Sequence, residues 1–239
     1  MRNTGQLLNQ LVEKLQHAFG EGLVSVVLYG SAAAGDHHPH FSDYNVLCVL
    51  REISRRELAA SEPIFRWWRE QGSPSPLLLT ETEVANSTDC FAIEFHDIKK
   101  SHRVLFGKDV VEPLVVDDSF YRAQVEHDLR AKLLRLRQKA AGMLSEPDQL
   151  RRLLADSVST FCVLFRHALV LHAVEPPAKK REVVQAVAAL FGADAQPFER
   201  LLDIREEQVK PREVDPVSLL DAYLKGIEVV VDAVDRLEK

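Results

Sequence analysis

Two short apolar runs near the N-terminus constrain the fold of this chain more than any other feature. The first run, Leu23 to Tyr29, ends at Gly30-Ser31, and the second extends from Asn45 to Leu50. Both runs are short, rich in β-branched residues and bounded by glycine or polar residues, so we expect two buried strands. Glycine after a strand lets the backbone approach a ligand closely. The small residues that follow suit a tight turn into a short helix, an arrangement that can bind phosphate.

The remaining sequence predicts an α+β protein with two domains. Helical spacing of apolar residues predicts one helix over residues 5–19 and another from Ser54, its N-cap, to residue 71. A short third strand is predicted over Pro76 to Thr80. Residues 81–107 are predicted to be mainly helical. After a connector at 108–118, all segments have helical patterns: 119–144, 148–174, 179–192, 195–209 and 216–238. We therefore predict a small mixed-sheet α/β domain over 1–112 and an all-α helical bundle domain over 113–239.

Composition and charge exclude several classes of protein. The chain has 239 residues, a formal net charge of -6 and a pI of about 5.9, which argues against an extended nucleic-acid surface. The longest apolar stretch, residues 158–174, is interrupted by Arg166 and His167, and no membrane span is predicted. Three scattered cysteines and the lack of a secretory pattern at the N-terminus predict a soluble, cytoplasmic protein with reduced thiols.

The two strands carry a motif that resembles a known family. Gly30-Ser31 is followed by eleven residues and then by Asp43-Tyr44-Asn45 at the start of the second strand. This pattern is similar to that of the nucleotidyltransferase superfamily, whose small α/β domain is shared by DNA polymerase β and the aminoglycoside nucleotidyltransferases. There, a strand, Gly-Ser and about a dozen residues precede Asp-x-Asp or Asp-x-Glu. With its helical second half, the chain looks most like the bacterial aminoglycoside-type members.

The resemblance implies roles for the motif residues. Gly30 and Ser31 would bind the triphosphate of a nucleotide, and Asp43 would be a ligand of Mg²⁺. Asn45 occupies the second metal-ligand position, where the family has a carboxylate. An amide oxygen can coordinate Mg²⁺ but brings no negative charge, so we expect weaker metal binding.

The family usually supplies a third carboxylate from a later strand. The third predicted strand contains none, which leaves Glu83 and Glu94 as the two candidates. Glu94 stands between Ile93 and Phe95, and this position suggests that its side chain is drawn toward the interior. We name Glu94 with Asp43 and Asn45 as the predicted catalytic residues, with Glu83 as the alternative for the third carboxylate.

Two further groups of residues have alternative interpretations. Arg166 lies in an apolar helix and needs a partner there. It either forms an ion pair with Asp156 or Asp203, or binds a phosphate of the nucleotide. The histidines in the loop between the motif halves suit either a metal site or, more simply, a solvated loop; they are His37, His38 and His40.

The resemblance implies transfer of a nucleoside monophosphate from an NTP, with ATP expected, to a hydroxyl of a small molecule or protein. Mg²⁺ is the implied cofactor. The alternative is a catalytically altered or inactive protein of the same fold, which acts as a nucleotide-binding or protein-interaction module. Asn45 is the residue that keeps this alternative open. A homodimer through the helical domain is a third expectation.

Overall fold

The computed structural model of the chain describes residues 4–34, 44–210 and 214–237. The chain divides into two compact units, an N-terminal unit (Met1–Phe120) and a C-terminal unit (Tyr121–Lys239). This division comes later in the chain than the predicted boundary between residues 112 and 113.

The N-terminal unit contains a four-stranded sheet with helices on both faces. Its strands have the order β3-β2-β1-β4, in which β1 is antiparallel to both β2 and β4, and β2 is parallel to β3. The elements in chain order are α1 (Thr4–Phe19), β1 (Leu23–Tyr29), α2 (Ser31–Ala34), β2 (Asn45–Leu50), α3 (Arg55–Glu70), β3 (Leu77–Thr80), α4 (Glu81–Asn86), α5 (Ala92–Lys100) and β4 (His102–Gly107). The predicted mixed sheet and the α+β class are confirmed.

Alternation along the strands sends side chains into two separate cores. One face of the sheet, with Leu28 and Cys48, packs against α1 and α3, where Trp68 is fully buried. The other face, with Val27 and Leu47, packs against α4, α5 and the connector. The second face matters for the site because α5 covers it.

The prediction that residues 81–107 are mainly helical is wrong in its last part. A break separates α4 from α5, and residues 102–107 form β4 rather than helix. β4 pairs with β1 from Tyr29–His102 to Ser25–Gly107. That pairing joins residues far apart in the chain, so it overrides the helical spacing that continues through this segment. The N-cap of α5 is Phe91.

The C-terminal unit is built from helices, as predicted. They are α6 (Tyr121–Ala141), α7 (Pro147–Leu171), α8 (Lys180–Phe191), α9 (Gln196–Arg205) and α10 (Pro216–Asp235). α7 packs against each of the other four and is the central helix. By length and composition α7 also matches a membrane-crossing helix, but most of that stretch is buried inside the unit, as is usual for a core helix.

Candidate active site

Three polar side chains form a row across one end of the sheet. Tyr29, the last residue of β1, pairs with Asn45 on β2 and with His102 on β4. Residues directly opposite each other in a sheet point to the same face. Tyr29 packs with Val27 on the face that α5 covers, so Asn45 and His102 point to that face as well.

The chain turns sharply just beyond this row. Gly30 has a φ of +76°, a conformation that strains other residues, and α2 begins at the next residue. The turn is held by a hydrogen bond from the Gly30 amide to the Ser101 carbonyl (3.0 Å) and by one from the Ala33 amide to the Gly30 carbonyl (3.0 Å). The predicted order of strand, glycine turn and short helix is therefore confirmed.

Asn45 lies directly against this turn. A Cβ atom added to Gly30 would be 3.4 Å from Nδ2 of Asn45. Asn45 is half-buried. Among the other predicted residues, Asp43, the side chain of Ser31 and the three loop histidines lie outside what the structure describes.

Two carboxylates of α5 lie close to the row. Burial raises the pKa of the Tyr29 phenol to about 12, and the negative charges of Glu94 and Asp97 contribute to the rise. These carboxylates are therefore near the phenol at the same end of the sheet. Glu94 itself is exposed, while Ile93 and Phe95 beside it are buried. The expectation that Glu94 is drawn inward is wrong, because a helix turns adjacent residues to different sides.

Glu83, the alternative third carboxylate, is at the opposite end of the sheet. It follows β3, whose last residue Thr80 pairs with Leu50 at the far end of β2. Strand rise over the residues from Asn45 to Leu50 separates these ends by about 16 Å. Glu83 accepts hydrogen bonds from the Thr80 amide (2.7 Å) and hydroxyl (2.9 Å), which lower its pKa. Its observed function is to cap α4.

The residues at the Gly30 end offer oxygen ligands. The part of the chain that the structure describes contains no group of three or more His, Cys, Asp or Glu that could hold a metal. Mg²⁺, however, is usually bound through one or two protein ligands together with substrate phosphates and water. The amide oxygen of Asn45 and the carboxylates of α5 are the kind of donor that this ion prefers.

The comparison with protein families identifies the sheet domain. The family model described as a nucleotidyltransferase domain matches residues 8–130, about half of the chain. The chain belongs to the nucleotidyltransferase domain family. The match contains Gly30, Asn45 and Glu94, so the three lie within the family domain.

Comparison with solved structures supports the same fold. The spectinomycin adenyltransferase AAD(9) of Enterococcus faecialis, determined with ATP and spectinomycin, aligns over 98% of this chain and 100% of its own. The TM-score is 0.65 and the sequence identity is 14%, a likeness of fold. A toxin–antitoxin structure with AMP-PNP aligns over 42% of this chain and 73% of its own, at 16% identity and a TM-score of only 0.30. The search of curated proteins gave no significant match.

Arg166, which the sequence suggests as a ligand of the nucleotide, lies in α7 of this chain. It is half-buried, and its Nε is buried without a hydrogen-bond partner among the described residues. The predicted ion pair with Asp156 or Asp203 is wrong. Asp203 instead accepts a hydrogen bond from Arg181 (2.7 Å). Asp156 lies 3.9 Å from Arg205.

Sequence reasoning missed two members of the polar row. The sequence pattern indicates Tyr29 only as the end of a strand, and it places His102 in the segment predicted as helix. In the structure, Nε2 of His102 lies 3.2 Å from a carboxylate oxygen of Asp109, which joins β4 to the connector. The sequence offered one signal for Tyr29: it directly precedes the Gly-Ser pair.

Proposed function

We propose that this protein transfers a nucleoside monophosphate from an NTP, with ATP as the expected donor, to a hydroxyl of a small molecule or a protein. The observation that carries the proposal is the convergence at one end of the sheet. The Gly30 turn, the Asn45 amide and the carboxylates of α5 all lie there. The similar adenyltransferase, determined with ATP and a small-molecule acceptor, supports the choice of ATP and of a small acceptor.

In this proposal each residue has one task. The Gly30 turn and Ser31 bind the triphosphate, because glycine permits close approach and the first amides of a helix have no partner within it. Asp43 and the amide oxygen of Asn45 would hold Mg²⁺. The bound ion would neutralise charge on the phosphates.

The chemical step is an in-line displacement at the α-phosphorus. The acceptor oxygen forms a bond to that phosphorus, the bond to the bridging oxygen of the β-phosphate breaks, and pyrophosphate leaves. The proton of the hydroxyl passes to the Glu94 carboxylate, which acts as general base. The exposure of Glu94 supports this role, since an acceptor must be able to reach the carboxylate.

Arg166, the further phosphate ligand suggested by the sequence, stays a prediction. We expect Arg166→Gln to weaken ATP binding about tenfold, measured by calorimetry. Arg152→Gln is the matched control, because Arg152 is an exposed arginine of the same helix.

The test of the proposal combines binding with turnover. ATP is titrated calorimetrically with and without Mg²⁺, and pyrophosphate release is then measured in a screen of hydroxyl acceptors. Removal of a general base costs about 10²–10⁴ in rate, so Glu94→Gln should lose at least 100-fold in release while ATP affinity changes less than about threefold. Glu13→Gln, which alters an exposed carboxylate of α1 across the sheet, should change neither quantity. A wild-type protein that binds no nucleotide under either condition would overturn the proposal.

A second candidate function is nucleotide binding without transfer. It is favoured by two observations: β3 carries no carboxylate, and Asn45 stands where the family has an acidic residue. This candidate predicts ATP binding by the wild type but no pyrophosphate release with any acceptor. Glu94→Gln would then be indistinguishable from the wild type in both measurements.

A further inference from the structure

The side-chain nitrogen of Asn45 is next to the glycine turn. We infer that Asn45 donates a hydrogen bond from Nδ2 to a phosphate oxygen of the nucleotide at Gly30. This inference rests on the proposed function, since it assigns a second task to a residue of the same site. It also gives a physical role to Asn45, which stands where the family motif has a carboxylate.

The geometry that carries the inference involves two adjacent strands. The Tyr29–Asn45 pair fixes Asn45 beside the end of β1, and Gly30 follows directly. The position that a Cβ on Gly30 would take is 3.4 Å from Nδ2 of Asn45. A phosphate oxygen that approaches Gly30 at this position would therefore come within reach of the amide nitrogen.

The chemistry of the amide differs from that of the carboxylate it replaces. An asparagine carries an acceptor oxygen and two N–H donors, whereas an ionised carboxylate only accepts. Asn45 can thus present Oδ1 to a metal ion and Nδ2 to a phosphate. A carboxylate in the same place would repel the phosphate unless a metal ion stood between them.

The local charge makes this difference important. Glu94 and Asp97 already place negative charge at this end of the sheet, as their effect on Tyr29 indicates. A third carboxylate at position 45 would add to the repulsion of ATP when no Mg²⁺ is bound. The neutral donor should therefore allow measurable ATP binding even without the metal ion.

The experiment compares ATP affinity in EDTA and in Mg²⁺ for the wild type, Asn45→Asp and Asn45→Ala. In EDTA we expect Asn45→Asp to bind at least tenfold more weakly than the wild type, because a donor becomes a like charge. In Mg²⁺ the same variant should recover to within about threefold of the wild type. Asn45→Ala should be weaker in both conditions, since it has neither donor nor acceptor. Circular dichroism and tryptophan fluorescence establish that each variant is folded.

Asn86→Asp is the matched control, because it makes the same charge change at an exposed site in the same unit, at the end of α4. It should leave ATP affinity unchanged in both buffers. If wild type and Asn45→Asp bind ATP equally in EDTA, the donor role of Asn45 is wrong while the proposed function stands. If the wild type binds no ATP in either buffer, both are overturned.

Discussion

Replacement of Gly30 by alanine separates the stability of the glycine turn from its proposed use in binding. The φ of Gly30 is +76°, and an L-residue in this region costs about 1–2 kcal/mol. The added Cβ would make an ordinary 3.4 Å contact with Asn45 Nδ2, so no clash adds to that cost. We expect Gly30→Ala to fold and to lose about 1–2 kcal/mol of unfolding free energy.

Gly192, the C-cap residue of α8, offers a close control. Its φ is +77°, and an added Cβ would meet no atom within 4 Å. Gly192→Ala should therefore show a similar loss of stability from backbone strain alone. Only Gly30→Ala should also bind ATP more weakly, because its methyl group would occupy the space proposed for a phosphate oxygen. We expect a loss of at least tenfold, or about 1.4 kcal/mol.

The assay pairs urea unfolding with ATP calorimetry. The chain has two tryptophans, Trp67 and Trp68, and both lie in α3, so their fluorescence reports unfolding of the N-terminal unit for Gly30→Ala. Circular dichroism follows the helical C-terminal unit for Gly192→Ala. If Gly30→Ala binds ATP within twofold of the wild type, the phosphate does not approach this turn and the reasoning is refuted.

Three other predictions concern buried groups. Gly226→Ala should lower the free energy of unfolding by about 1 kcal/mol, because the added Cβ would be 2.6 Å from the buried Phe198 ring. The better helix propensity of alanine does not offset this clash. A higher urea midpoint for the variant would contradict the prediction. Between pH 10 and about 12 the Tyr29 phenol ionises in the unfolded chain but stays neutral in the folded one, so the free energy of unfolding should fall as the pH rises through this range. Tyr29→Phe should show a smaller fall in its urea midpoint over the same range. Tyr223→Phe should cost about 1 kcal/mol through loss of the 3.0 Å hydrogen bond to Ser157, and an unchanged thermal midpoint would count against that bond.

The fold was predictable from sequence where the signal is local. β1 and β2 begin and end at the predicted residues because each is a short apolar run with a clear boundary on both sides. Ser54 caps α3 and Glu57 completes the capping box, again through contacts within one turn. β4 was missed because what makes it a strand is its partner β1, which lies far away in the chain.

The candidate site was predictable to a smaller extent. Gly30 and Asn45 are close because the two predicted strands that carry the motif pair with each other. The place of Glu94 depends on how α5 lies on the sheet, and no spacing in the sequence specifies that. His102 joins the row only because residues 102–107 form β4.

The hydrogen bond from the Gly30 amide to the Ser101 carbonyl has a consequence for truncated chains. A fragment that ends after β3 would retain Gly30, Ser31, Asp43 and Asn45, yet it would lack the carbonyl that holds the turn. The shortest piece of this protein able to bind a nucleotide should therefore extend through β4. During synthesis, the chain could therefore bind a nucleotide only after β4 has emerged from the ribosome, well after the motif itself has emerged.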